Sequence, residues 1–164
     1  MVSFIKARED DIFTIQHLAR TIWFSHYPGI ISEEQIEYML NLMYSAETIA
    51  KEIQEGFYWY LAMAESQPVG FISFHFEKFN ATIKLEKLYI LPSFHGNGYG
   101  QKALEFIKKN AKELGARVLT LRVNKQNEKA IKAYLKAGFL KDYEDVANIG
   151  NGYVMDDYIM SIKL

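Results

Sequence analysis

At 164 residues, with 49% hydrophobic and 24% charged residues and a formal net charge of −1, the chain has the size and composition of one globular domain. The near-neutral balance excludes nucleic acid as an expected partner, and the absence of cysteine excludes disulfides, a thiol nucleophile and cysteine-based zinc sites. His17, His26, His75 and His95 follow no metal-ligand spacing, no run approaches the ~18 apolar residues of a membrane span, and Met1–Arg20 is too charged for a secretory leader; a cytoplasmic, metal-free protein is expected.

In chain order the pattern predicts a short strand, Val2–Ala7, and a helix over Asp10–Phe24, where Ile12, Ile15, Leu18, Ala19 and Ile22 recur at helical spacing. Tyr27-Pro28-Gly29 breaks the chain. Ser32-Glu33-Glu34-Gln35 then has the capping-box form and opens a second helix through Met43, with a third, short one over Ser45–Glu55. Phe57–Ala64 and Val69–Phe76 are aromatic-rich runs joined by Glu65-Ser66-Gln67-Pro68, an antiparallel hairpin. A strand over Thr82–Leu91 leads to a glycine-rich loop and a helix over Gln101–Leu114, stopped by Gly115. Arg117–Val123 is the next strand, followed by a helix over Asn127–Ala137 closed by Gly138 and two strands within Phe139–Ala147 and Gly152–Lys163. No repeat or linker interrupts residues 1–164, which read as a single α/β domain with a sheet of mixed direction. The last strand carries Tyr153, Val154, Met155, Tyr158, Ile159, Met160 and Ile162, an apolar edge that needs a partner and makes a homodimer an expectation.

The loop itself reads His95-Gly96-Asn97-Gly98-Tyr99-Gly100. Glycines at alternate positions remove Cβ atoms where a helix begins, so amide N–H groups and the positive end of the helix dipole can converge on an anion such as pyrophosphate. It is not a P-loop, because Gln101-Lys102 stands where Lys and Ser or Thr would reach the terminal phosphates. A dinucleotide fingerprint would need glycine at Gln101 and an acid near Thr120 or Leu121. A loop that only turns the chain is the alternative.

This loop, the order of elements and the later run Asn124-Lys125-Gln126-Asn127 through Ala133-Tyr134-Leu135-Lys136-Ala137-Gly138-Phe139 together resemble the GNAT superfamily of N-acetyltransferases. The resemblance spans the chain and is densest over Lys84–Phe139; around Trp23–Gly29 it is similar to bacterial polyamine (spermidine/spermine) acetyltransferases. It implies a mixed, mostly antiparallel sheet splayed between its fourth and fifth strands, with helices on both faces. It also implies acetyl-CoA as donor and a small-molecule primary amine, such as a polyamine, as acceptor.

By that resemblance the amides of Gly96, Asn97, Gly98, Tyr99 and Gly100 hold the pyrophosphate, with Asn97 and Tyr99 facing outward. His95 stands where the family usually has arginine or glutamine. The backbone of Leu88, Tyr89 and Ile90 pairs with the pantetheine arm, which Asn127 also touches while capping its helix. Glu86 is the candidate base and Tyr134 the candidate acid; the bland alternatives are a solvated strand face shared with Lys84 and Lys87, and a core aromatic. Trp23 and Tyr27, with His26, are candidates to line the acceptor pocket, and Asp156, with Asp157, to attract a cationic acceptor. Two other readings stand beside direct transfer to a small amine: a non-catalytic acyl-CoA sensor or scaffold, and a protein N-terminal or lysine acetyltransferase.

Overall fold

The computed structural model describes residues 1–164. Its seven-stranded sheet has the order β1-β2-β3-β4-β5-β7-β6, and the chain divides into two units.

The first unit comprises residues 1–75 and 87–103. It contains β1 (Val2–Lys6), α1 (Ile12–His26), α2 (Glu33–Met43), α3 (Ala46–Gln54), β2 (Tyr58–Ala64), most of β3 (Gln67–Phe76), the second half of β4 (Thr82–Ile90) and the start of α4 (Tyr99–Glu113). Ser32 and Ser45 cap α2 and α3, their hydroxyls accepting from the amides of Gln35 and Thr48 at 3.1 Å; the sequence signature marked the cap at Ser32. The periodic apolar face of α1 is buried together with Ile36, Met39 and Ile49 of its neighbours. Residues β1 and β2 pair antiparallel from Val2↔Ala64 to Lys6↔Tyr60. The hairpin is tighter than the sequence suggests: β3 begins at Gln67, because Glu65 and Ser66 both adopt positive φ in a two-residue turn. Pro68 fits at the start of β3, next to the bulge between Ala62 and Met63.

The second unit comprises residues 76–86 and 104–164. Within it the start of β4 runs parallel to β5 (Val118–Asn124), β5 pairs antiparallel with β7 (Tyr153–Lys163), and β7 pairs antiparallel with β6 (Leu140–Gly150). The rest of α4 supplies the crossover to β5, and α5 (Glu128–Lys136) follows β5. Leu119, Leu121 and Val123 alternate with partly exposed residues along β5 and are buried, as are Ile107 and Ala111 of α4 and Ile131 of α5. One expectation is corrected here: β7 is not an edge. It lies between β5 and β6, so the partner its apolar run called for is supplied by the chain itself, and β6 takes the edge position.

Candidate active site

The glycine loop follows a short 3₁₀ turn, Pro92–Phe94, at the end of β4. Gly96 and Gly98 have φ of +84° and +75°, a region that only glycine occupies without strain, and open space surrounds both. The first hydrogen bond of α4 runs from the Lys102 amide to the Gly98 carbonyl at 3.1 Å. The amides of Gly98, Tyr99 and Gly100 therefore precede the helical ladder, at the positive end of the helix dipole. This donor set fits a diphosphate. The helix starts two residues earlier than its periodicity suggests, and Tyr99 does not face outward as expected. It packs with Phe94 against Val2, Ala62, Ala64, Val69 and Ile90, and so ties the loop to the sheet. His95 Nε2 donates to the Ile90 carbonyl at 2.8 Å, a second tie, whereas Asn97 is exposed and donates to the Phe94 carbonyl.

Leu88, Tyr89 and Ile90 form the end of β4 in the same unit. Tyr89 meets both aromatics expected at the acceptor pocket. Its hydroxyl is 3.0 Å from that of Tyr27, and its ring lies 6.0 Å from Trp23, which is 4.5 Å from Tyr27. Trp23 and Tyr27 are themselves buried, at 1% and 5% exposure, so they fix the end of α1 against β4.

In the second unit the parallel register runs from Thr82↔Val118 to Leu85↔Leu121. Glu86 and Arg122 come next on their strands and share one face with Lys84 and Thr120, because side chains alternate along a strand. Lys84 Nζ is 3.1 Å from Glu86 Oε1, and both side chains are 26% exposed. Tyr134, on α5, is half-buried, its ring edge-on to Phe139 with centroids 5.6 Å apart; Phe139 is brought back by Gly138, and its amide donates to the Tyr134 carbonyl at 3.0 Å. Asn127, buried at 8% exposure, caps α5 through Oδ1, which accepts from the Ala130 amide. Asp156 is half-exposed and paired with Lys125 at 2.7 Å. Its neighbour Asp157 is buried and accepts from Arg122 Nε at 3.0 Å, while Arg122 Nη1 donates to Asp145.

The sequence profile described as the acetyltransferase (GNAT) family matches residues 14–139, which include the glycine loop, Glu86, Asn127 and Tyr134. The chain belongs to that family. A spermidine N(1)-acetyltransferase of Thermoplasma acidophilum is 30% identical over 152 residues, 90% of this GNAT chain and 91% of that protein. A crystal structure of the PaiA N-acetyltransferase of T. acidophilum in complex with coenzyme A superposes with a TM-score of 0.85 at 28% identity, covering 100% of this chain and 99% of that one. A GCN5-related N-acetyltransferase from Rhodopseudomonas palustris, at 20% identity and a TM-score of 0.83, shares the fold over 99% of this chain and 95% of its own.

Two features of this GNAT chain escaped the sequence reading. Gly70 on β3 lies so close to β4 that a Cβ there would sit 2.2 Å from the Tyr89 carbonyl oxygen and 2.8 Å from Ile90 Cδ1. A glycine inside a strand run is the available signal for such an approach. The other is Lys87, which is not on the solvated face with Lys84 and Glu86. It points the opposite way, is 5% exposed, and its ammonium lies 3.9 Å from Glu52 Oε1, 5.1 Å from the Trp59 ring and 5.4 Å from the Tyr44 ring.

Proposed function

We propose that the protein transfers an acetyl group from acetyl-CoA directly to a primary amine, a polyamine or another small cationic amine. The observation that carries this reading is the loop Gly96–Gly100, whose amides stand ahead of the α4 ladder with space beside them, in a chain 30% identical to a spermidine acetyltransferase. The amides of Gly98, Tyr99 and Gly100 hold the pyrophosphate, and the backbone of Leu88–Ile90 pairs with the pantetheine arm. The Ile90 carbonyl already accepts from His95, so Ile90 offers mainly its N–H to that arm. Bound acetyl-CoA supplies the thioester whose carbonyl carbon the amine attacks.

A primary alkylamine with a pKa of about 10.4 is almost wholly protonated at neutral pH, so a proton must leave it before attack. Glu86 takes that proton. Its exposure at the end of the β4–β5 register leaves it reachable by an acceptor. Tyr134 donates to the departing sulfur. In free solution a phenol near 10 giving a proton to a thiolate near 8.5 is uphill by about 2 kcal/mol, so Tyr134 acts chiefly by hydrogen bonding as charge develops on sulfur. Asp157, with Arg122 on its Oδ2, and Asp156, with Lys125, are already committed to ion pairs and contribute only background negative potential for a cation.

The test is thiol release from acetyl-CoA with spermidine, spermine, an aminoglycoside, free amino acids and short peptides, beside calorimetry with CoA. Turnover with one small amine, reduced by about 10²-fold or more in Tyr134→Phe and in Glu86→Gln, is the expected result. CoA binding without turnover on any amine would instead identify a sensor, and turnover on peptides alone a protein acetyltransferase.

A further inference from the structure

A general base works only within hydrogen-bond reach of the proton it removes, so the nitrogen of any acceptor served by Glu86 must come to about 3 Å from one of its oxygens. That position already holds an amine. Lys84 Nζ is 3.1 Å from Glu86 Oε1, on the same face of β4, and its side chain is partly open to solvent. Lysine is a primary alkylamine, the chemical class of the proposed acceptor. Being tethered two residues from the base, it also competes with a free amine at high effective concentration.

We infer that Lys84 is itself an acetyl acceptor, and that the protein modifies this residue when no free amine is present. The inference rests on the reading of Glu86 as the base. The step balances without a further reactant. The Lys84 ammonium loses one proton to Glu86, its nitrogen forms a bond to the acetyl carbonyl carbon and gives up a second proton, and the C–S bond breaks with its electron pair on sulfur. The sulfur takes that second proton, relayed through Tyr134, the first passes from Glu86 to solvent, and CoA leaves as the thiol. The product changes the site as well, because an acetylated Lys84 carries no charge and Glu86 loses the cation now beside it. Modification therefore removes the resident ammonium that a free acceptor has to displace.

The experiment is incubation of the whole protein with acetyl-CoA and no amine, followed by peptide mass spectrometry across a series of protein concentrations. One acetyl group on Lys84 is expected, appearing at a first-order rate independent of protein concentration, at least tenfold faster than on the exposed Lys78, Lys109 and Lys129. Glu86→Gln and Tyr134→Phe should slow it at least tenfold, and Lys84→Arg, which keeps a cation beside Glu86 but offers no acetylatable amine, should take up none there. Lys84 left unmodified by a protein that acetylates a free amine would overturn the inference and leave the proposed function intact. Lys84 modified no faster than the exposed lysines, or equally fast in both variants, would be uncatalysed acetylation and would also overturn it. A protein that neither binds CoA in the calorimeter nor modifies Lys84 would overturn both.

Discussion

Gly98 and Gly100 separate what the backbone of the loop requires from what a ligand requires. A Cβ at either would meet nothing within 4 Å, yet Gly98 has φ of +75° whereas Gly100 lies in α4 without a positive φ. Alanine at 98 must therefore hold a left-handed conformation, at a cost of about 1–2 kcal/mol. Alanine at 100 reduces the freedom of the unfolded chain and favours the helix, a gain of up to about 1 kcal/mol. The urea midpoints of Gly98→Ala and Gly100→Ala should accordingly move in opposite directions with unchanged m-values. Calorimetry with CoA should show a loss of about tenfold or more, roughly 1.4 kcal/mol, for Gly98→Ala because its amides are redirected, and little change for Gly100→Ala. Equal losses in both variants would mean that the pyrophosphate held by the Gly100 amide leaves no room for a Cβ at residue 100.

At the scale of elements, β4 carries the proposed base on one face and its anchor on the other. Lys84 and Glu86 share the exposed side, while Lys87 reaches inward between Trp59 and Tyr44 to Glu52 on α3. Removing one member of a buried pair leaves the other charge uncompensated, so Lys87→Ala should cost about 3–5 kcal/mol in chemical denaturation. The double variant Lys87→Met with Glu52→Leu should recover most of that loss, because apolar side chains of similar volume replace both charges; a double variant as unstable as the single one would show that the rings need the cation itself. The strands and helices were legible from their periods and boundary signals, Ser32 as a cap and Gly115 and Gly138 as ends. The loop stood out by its glycines, and the Tyr134-to-Phe139 run by its resemblance to the family. What could not be read was the placement of elements that chain order does not fix. The insertion of β7 between β5 and β6 turns an apparent edge into an interior strand. The partner of Lys87 lies on a helix three elements earlier, so three charges at 84, 86 and 87 looked like one solvated face, although a period of two separates the third from the others.

Across the molecule the charges nearly cancel, 20 acidic against 19 basic, so the response of stability to pH depends on the few carboxyls whose environment changes on folding. Arg122 braces three strands of the second unit, bonding Asp157 on β7 and Asp145 on β6 from its place on β5. Burial pushes the Asp157 carboxyl above its ordinary value of 3.8, and the opposing pull of Arg122 does not cancel it, with Asp156 and Asp145 adding to the rise. The exposed Glu37 moves the other way, held down by its hydrogen bond to Arg20. A carboxyl with a raised value binds its proton more tightly in the folded chain than in the unfolded one. Its contribution to stability is therefore complete below 3.8 and is lost as pH rises through the folded value. Asp157→Asn removes that titration while its amide oxygen can still accept from Arg122. Urea midpoints of the two proteins, measured at constant ionic strength from about pH 3.5 to about pH 7, should diverge, the wild type losing stability relative to Asp157→Asn as pH increases. Subtracting one profile from the other removes Glu37 and every other carboxyl common to both. A wild type that gains on the variant with rising pH would mean that Arg122 outweighs burial, making the brace a net electrostatic stabiliser of the β5–β7–β6 sheet instead of a constraint on its register.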